Sequence, residues 1–212
     1  MKPASPRSEK AIRAASAQRA AEALGPRPRR GAPDETRSRL LASAAEEFEQ
    51  HGYFGTDSNR IARAAGYAPG TFYKHFVDKR TAFLAVYEAW IAREWDGVAA
   101  LARSGRVEDL AARIGEHVIA QHREWSGFRA SLRALVVLEP DIRRAHRASR
   151  GRQLAMMERL GLHGRAENAA LLLAVERIAD AIADGELEAL GVSEEDARAQ
   201  LVAHIAARLA SR

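Results

Sequence analysis

From position 33 onward, apolar residues recur at spacings of three and four, the period of helices buried on one side. Leu40, Leu41, Ala44, Ala45 and Phe48 make the first such face. Pro33 suits a first helical turn, and Asp34 and Glu35 complement the positive end of that helix. Gly52 stands where it would end in a left-handed residue. Tyr53 and Phe54 are expected to plug a small core, and Thr56 to cap a second helix whose Ile61, Ala62 and Ala65 face inward. Gly66 ends that helix. Pro69 opens a third, running to about His75, with Phe72 and Phe76 inward. Asp78 caps a fourth at about 79–103, with Phe83, Leu84, Tyr87 and Ile91 on its apolar side. Further helices are expected at about 106–122, 126–138 (ended by Pro140), 141–160, 165–184 and 194–210. Gly105, Gly161, Gly164, Gly185 and Gly191 punctuate them, and Ser193 with Asp196 forms a variant capping box. No alternating strand pattern and no repeat is visible, so the expected fold is all-α.

The first 33 residues break this pattern. They contain five of the seven prolines and carry a net charge of +6, against +5 for the whole chain of 212 residues. The remainder is therefore close to neutral, and the basic balance belongs to an N-terminal arm. The ends of that arm are expected to be disordered, and its basic character suggests a flexible DNA-contacting tail; a disordered tail without a role and an Arg-rich targeting segment are the alternatives. The expected division is an arm at 1–33, a helix-turn-helix domain at 34–80 and a larger helical domain at 81–212.

The chain has no cysteine, which excludes disulfides, thiolate nucleophiles and Cys-ligated zinc. No apolar run approaches the roughly 20 residues that span a bilayer, and no secretory signal stands out. These features fit a cytoplasmic, nucleoid-associated protein. No nucleophile constellation, phosphate-binding glycine loop or metal-ligand cluster is apparent, so no catalytic residue, metal or cofactor is expected.

The chemistry concentrates in Thr56–Lys79. The segment reads as two short helices joined by a glycine turn, and its second helix sets Thr71, Tyr73, Lys74 and His75 on a small surface. Gly70 lets the backbone approach DNA closely. Tyr73 and Thr71 can donate to phosphate, and Lys74 can read guanine or neutralise a phosphate. Lys79 sits at a helix start, where free N–H groups also favour phosphate. Asn59 can hydrogen-bond a base edge or a phosphate. Blander roles are a packed Tyr73, a solvated His75 and an Asn59 that only caps its own turn.

Residues 34–90 resemble the DNA-binding domain of TetR-family regulators. The resemblance runs through Ala44-Ala45-Glu46-Glu47-Phe48, Gly52-Tyr53, Thr56, Ile61-Ala62, Ala65-Gly66, Gly70-Thr71, Phe72-Tyr73, Phe76 and Lys79, without a gap. It implies that Thr56, Thr71, Tyr73 and Lys79 position the DNA backbone, and that Asn59, Pro69, Gly70, Lys74 and His75 lie nearer base edges. The chain departs from the family pattern at Ala68, where a Ser or Thr usually caps the recognition helix, at Ser58, where an apolar residue usually packs, and at Arg80, where an acid is common.

The resemblance also implies a C-terminal body that dimerises and holds a ligand. Two stripes, Leu171, Val175, Ile178 and Ile182, and Leu201, Ile205 and Leu209, are expected to meet their copies in a four-helix interface. Their other role is burial against their own chain. Trp90, Trp125, Phe128 and Leu132, with His117 and Gln121 as polar groups, are the candidates for a pocket; plain core is the alternative. The run Arg143, Arg144, Arg147, Arg150 and Arg152 reads as a solvated face. The expected protein is a ligand-responsive repressor that binds palindromic double-stranded DNA as a homodimer, with a small-molecule effector and no membrane. The rivals are a ligand-independent architectural DNA-binding protein, an activator, and an enzyme on a helical bundle.

Overall fold

A computed structural model describes residues 33–103 and 109–211. The N-terminal arm and Gly105 lie outside the described residues. Among those described, all regular structure is helical: α1 Pro33–His51, α2 Ser58–Ala64, α3 Pro69–Phe72, α4 Lys79–Arg103, α5 Leu110–Glu124, α6 Ser126–Leu138, α7 Pro140–Arg159, α8 Arg165–Ala183, α9 Glu186–Ala189 and α10 Glu194–Ala210. No helix among them is long and apolar enough to cross a membrane.

Local chemistry sets most boundaries. Gly52 and Gly66 both take positive φ, as expected of helix-ending glycines. Pro140 acts on both sides of itself. It pushes Glu139 into extended backbone, which stops α6, and then stands at the start of α7. Ser193 caps α10 by accepting from the Asp196 amide.

Three local expectations are corrected. Asp57, not Thr56, caps α2, accepting from the Arg60 amide at 2.8 Å. Thr56 is buried instead, with its hydroxyl donating to the Glu47 carbonyl. Phe54 is 70% exposed, so Tyr53 alone fills the core beside it. The regular part of α3 closes at Phe72, and shorter-range turns carry the chain to Phe76.

Two apolar clusters hold the molecule together. The first gathers Leu40, Phe48, Ile61, Phe72, Phe76 and Phe83 from α1–α4 and continues into Phe128 and Leu135 of α6. Phe83 and Phe128 stack at 4.4 Å between centroids, so the N-terminal helices are seated directly on the body. Each such ring contributes about 1.5–3 kcal/mol on full burial. The second cluster joins α5, α8 and α10 through Val118, Ile119, Ile182, Leu201 and Ile205.

The seat is reinforced by polar contacts. The Glu49 carboxylate, near the end of α1, accepts from the Gly127 and Phe128 amides at 3.0 and 2.8 Å, capping α6. Ser131 of α6 accepts from the Tyr53 amide at 2.9 Å. Gly127 must be glycine here, because a Cβ would stand 2.1 Å from the Glu49 carbonyl oxygen.

Candidate functional site

The turn between α2 and α3 is built by backbone hydrogen bonds. The Tyr67 amide donates to the Ala62 carbonyl at 2.8 Å and the Gly66 amide to Arg63 at 2.9 Å, the paired bonds of a Schellman end. Ala68 gives α3 no side-chain cap, and Pro69 opens it with no N–H left to satisfy. Phe72 and Phe76 are buried beneath, with the Arg37 guanidinium over the Phe76 ring at 5.2 Å. A helix this short is fixed by that aromatic floor rather than by its own hydrogen bonds.

The floor determines what faces outward. Asn59, Pro69, Gly70, Tyr73 and Lys74 are exposed, and Thr71 and His75 are half-buried. Tyr73 is 57% exposed, yet its ring packs edge-on against Phe72. Seven of the nine proposed DNA-contacting residues thus share one accessible surface around α2 and α3. Thr56 and Lys79 do not present their polar groups there. The Lys79 ammonium donates to the Tyr53 and Thr56 carbonyls at 2.7 and 2.8 Å and lies over the Tyr53 ring. Burial lowers its pKa. Lys79 therefore clamps the α1–α2 turn to the start of α4, and only one of its three N–H donors is left over. Arg63 and Arg37 were missed from the sequence. Arg63 lies four residues after Asn59 on α2, is exposed and has no ion pair among the described residues, a signal that helical spacing alone could have given.

Deeper in the body lies an ionic cluster between α5, α6, α7 and α8. Arg129, 2% exposed, donates to Asp180 at 2.6 and 2.9 Å and to Glu176 at 3.0 Å. Arg150 donates to Glu176, and His122 meets Asp180 at 3.0 Å. Burial favours neutral His122 and lowers its pKa, outweighing the Asp180 contact. Asp180 and Glu176 stay low because those partners overcome the cost of burial. The expected solvated arginine face holds in part, since Arg144, Arg147 and Arg152 are exposed. Arg150 turns inward, Arg143 donates to the last carbonyls of α6, Arg144 pairs with Asp141 and Arg152 with Glu88.

The six pocket candidates do not gather at one cavity. An apolar cavity of about 90 Å³ is enclosed by α4, α5, α7, α8 and α10, and none of the six lines it. Trp125, Phe128 and Leu132 belong to the first core cluster. Trp90 also joins that core, with the Arg129 guanidinium over its ring at 4.8 Å. His117 closes over Gly97 and bonds the Glu94 carbonyl at 3.1 Å, clasping α5 to α4, while Gln121 reaches Glu124. The expected dimer stripes supply the cavity wall instead. Leu171, Val175, Ile205 and Leu209 line it. Leu201, Ile205 and Ile182 are buried within their own chain, and Ile178 packs against them. The stripes were read correctly as apolar, but the chain's own α5 covers them.

A helix-turn-helix with an exposed second helix, seated on a larger helical body, is an arrangement that presents a recognition helix to the major groove of DNA. Residues 40–86 match the family described as bacterial regulatory proteins, tetR family. Over 111 residues the chain is 27% identical to the HTH-type transcriptional repressor AcnR of Corynebacterium efficiens. That match covers 52% of this chain and 56% of the relative, so the chain spans about half the length of the relative it matches. A TetR-family transcriptional regulator from Streptomyces coelicolor superposes with a TM-score of 0.63 at 21% identity, over 84% of this chain and 96% of that one. The fatty acid degradation regulator FadR from Bacillus halodurans superposes at 0.61 and 14% identity, over 84% and 97%. At such identities the two structures speak to the fold. Residues 40–86 thus match the TetR-family DNA-binding domain, and the fold of the chain is the one shared by these regulators.

Proposed function

We propose that the protein is a ligand-responsive repressor that binds a palindromic operator as a homodimer. The observation that carries this reading is the accessible surface of Asn59, Arg63, Tyr73 and Lys74 held over buried Phe72 and Phe76. One such surface makes few base contacts. Two, about one DNA turn or roughly 34–36 Å apart, read an inverted repeat. The dimer forms through the outward faces of α8 and α10, where Leu173 is 62% exposed and Ala199, Ala203, Ala206 and Ala210 are exposed. Small side chains there permit close helix approach. Ligand bound in the body favours a spacing of the two recognition helices that no longer fits successive major grooves, and DNA affinity falls. Arg63, Tyr73 and Lys74 hold the DNA, and α4 carries the change between body and head.

Selection of bound duplexes from a random library by the purified full chain tests this reading. The expected result is an enriched inverted repeat. Binding that enriches no sequence would replace it with an architectural role.

A further inference from the structure

Among the residues lining the apolar cavity, Glu94 of α4 is the one acid. Part of the residue is accessible, but its Oε2 is sealed from solvent and has no hydrogen-bond partner among the described residues. The Nε1 donors of Trp95, on the same wall, and of Trp90, one turn earlier on α4, are also sealed and unpartnered. Buried polar groups are satisfied in the great majority of cases, and a sealed carboxyl left without a partner points to something that binds it.

The charges around Glu94 define what that is. Facing it are Tyr87 and Trp90 from its own helix, His122 from α5, Arg129 from α6, Arg150 and Gln153 from α7, and Glu176 from α8, with Asp180 behind. Arg129 is committed to Asp180 and Glu176, and Arg150 donates to Glu176 and Gln153 with its Nε sealed and unpartnered, so two cations offset the two anions Glu176 and Asp180 in charge. Arg208, on another part of the wall, spends its guanidinium on Asn168, Ser211 and the His163 carbonyl. Glu94 alone has no counter-ion. An anionic head group would stand beside Glu94 and Glu176 and would meet one sealed guanidinium N–H, the Nε of Arg150. A cationic one would complete the charge balance beside two indole rings, which also attract cations.

We propose that this cavity takes an amphipathic organic cation, an apolar body with one protonated amine, whose ammonium pairs with Glu94 while the body fills the sleeve formed by Val98, Ile114, Val118, Leu171, Val175 and Ile205. The assignment rests on the reading of the protein as ligand-responsive and names the chemistry of its effector. Burial, the largest influence, pushes the Glu94 carboxyl up to about 7, with Arg129 opposing. Cation binding therefore expels a proton at mildly acidic pH, and affinity falls about tenfold per pH unit below that value.

The test uses full-length protein and three probes of equal chain length: n-octylamine, octanoate and 1-octanol. Trp90 and Trp95 flank the carboxyl, so tryptophan emission reports occupancy. Octylamine is expected to saturate the signal at least tenfold more tightly than either other probe. Glu94→Gln, checked for folding by circular dichroism, is expected to abolish that preference. Glu94→Asp keeps it in part, and calorimetry of the unaltered protein in buffers of different ionisation heat shows a proton released near pH 6.5. Equal binding of octylamine by Glu94→Gln, tighter binding of octanoate, or no binding of octylamine each overturns the assignment. None of these results touches DNA recognition, which the duplex selection decides separately. Tight octanoate binding would keep the protein ligand-responsive while removing the cation.

Discussion

At the scale of single residues, two lysines read alike in the sequence and differ in the fold. Lys74 is exposed beside Tyr73, whereas the Lys79 ammonium is bound to two carbonyls. Lys74→Ala is expected to leave the urea midpoint unchanged and to weaken operator binding by about 1–3 kcal/mol. Unchanged affinity in an anisotropy titration would remove Lys74 from the interface. Lys79→Met is expected to cost about 1.5–3 kcal/mol of stability, because two carbonyls lose a charged donor. A midpoint equal to that of the unaltered protein would return Lys79 to a purely phosphate-facing role. Glu94 gives a pH signature of its own. Its carboxyl titrates at about 7 in the fold and at roughly 4.3 when unfolded. Between those values the folded chain holds a proton that the unfolded chain has lost, so stability falls as pH rises and levels off above 7. Glu94→Gln lacks that fall. Its stability relative to the unaltered protein is expected to rise by about 1–3 kcal/mol between pH 4.5 and pH 8. The opposite contribution of His122, buried in its neutral form, is common to both proteins and cancels. Parallel stability curves across that range would show that the carboxyl ionises freely.

At the scale of elements, helical period and punctuation read well from the sequence. The helices at Ser126–Leu138 and Lys79–Arg103 were legible because Pro140, Asp78 and Arg-rich or glycine-containing breaks frame clean apolar stripes. Partners were not legible. A stripe such as Leu171, Val175 and Ile178 has the same period whether it faces a second subunit or α5 of its own chain. Likewise Trp90, Trp125 and Phe128 look equally suited to a pocket and to a core. The outward face of α3 was legible because aromatic and polar residues alternate at helical spacing around Gly70. Lys79 was misread because its partners, the carbonyls of Tyr53 and Thr56, leave no mark on the side-chain pattern. The junction of α1 with α6 was invisible for the same reason, being made by Glu49 with backbone amides and by the missing Cβ of Gly127. Gly127→Ala is expected to cost about 1–3 kcal/mol and to lower the melting temperature by roughly 2–4 °C per kcal/mol. Gly151→Ala, where nothing lies within 4 Å of the added carbon, serves as control and is expected to be neutral or slightly stabilising. Identical melting of both variants would show that the junction is loose.

At the scale of the whole molecule, self-association is expected to follow the outward faces of α8 and α10. Leu173→Glu combined with Ala203→Glu places two charges on that face without entering either core cluster. The double variant is expected to sediment as a folded monomer and to lose preference for an inverted repeat over its half-site; a dimer of unaltered mass would place the interface elsewhere. The remaining consequence comes from α4. It runs unbroken for 25 residues, about 37 Å, from Lys79 beneath the recognition turn to the cavity wall at Glu94 and beyond. The Phe83–Phe128 stack grips it near one end. Were this rod to pivot at Phe83, its arm toward Glu94 would be long and its arm toward Lys79 short. Sideways travel at the cavity would be geared down to roughly a third at the head. Force would be gained in the same proportion, which suits the proposed release of the head from DNA by a ligand in the body. In a two-fold pair the short strokes point in opposite senses and add, so each head moves little while the distance between heads changes by twice as much.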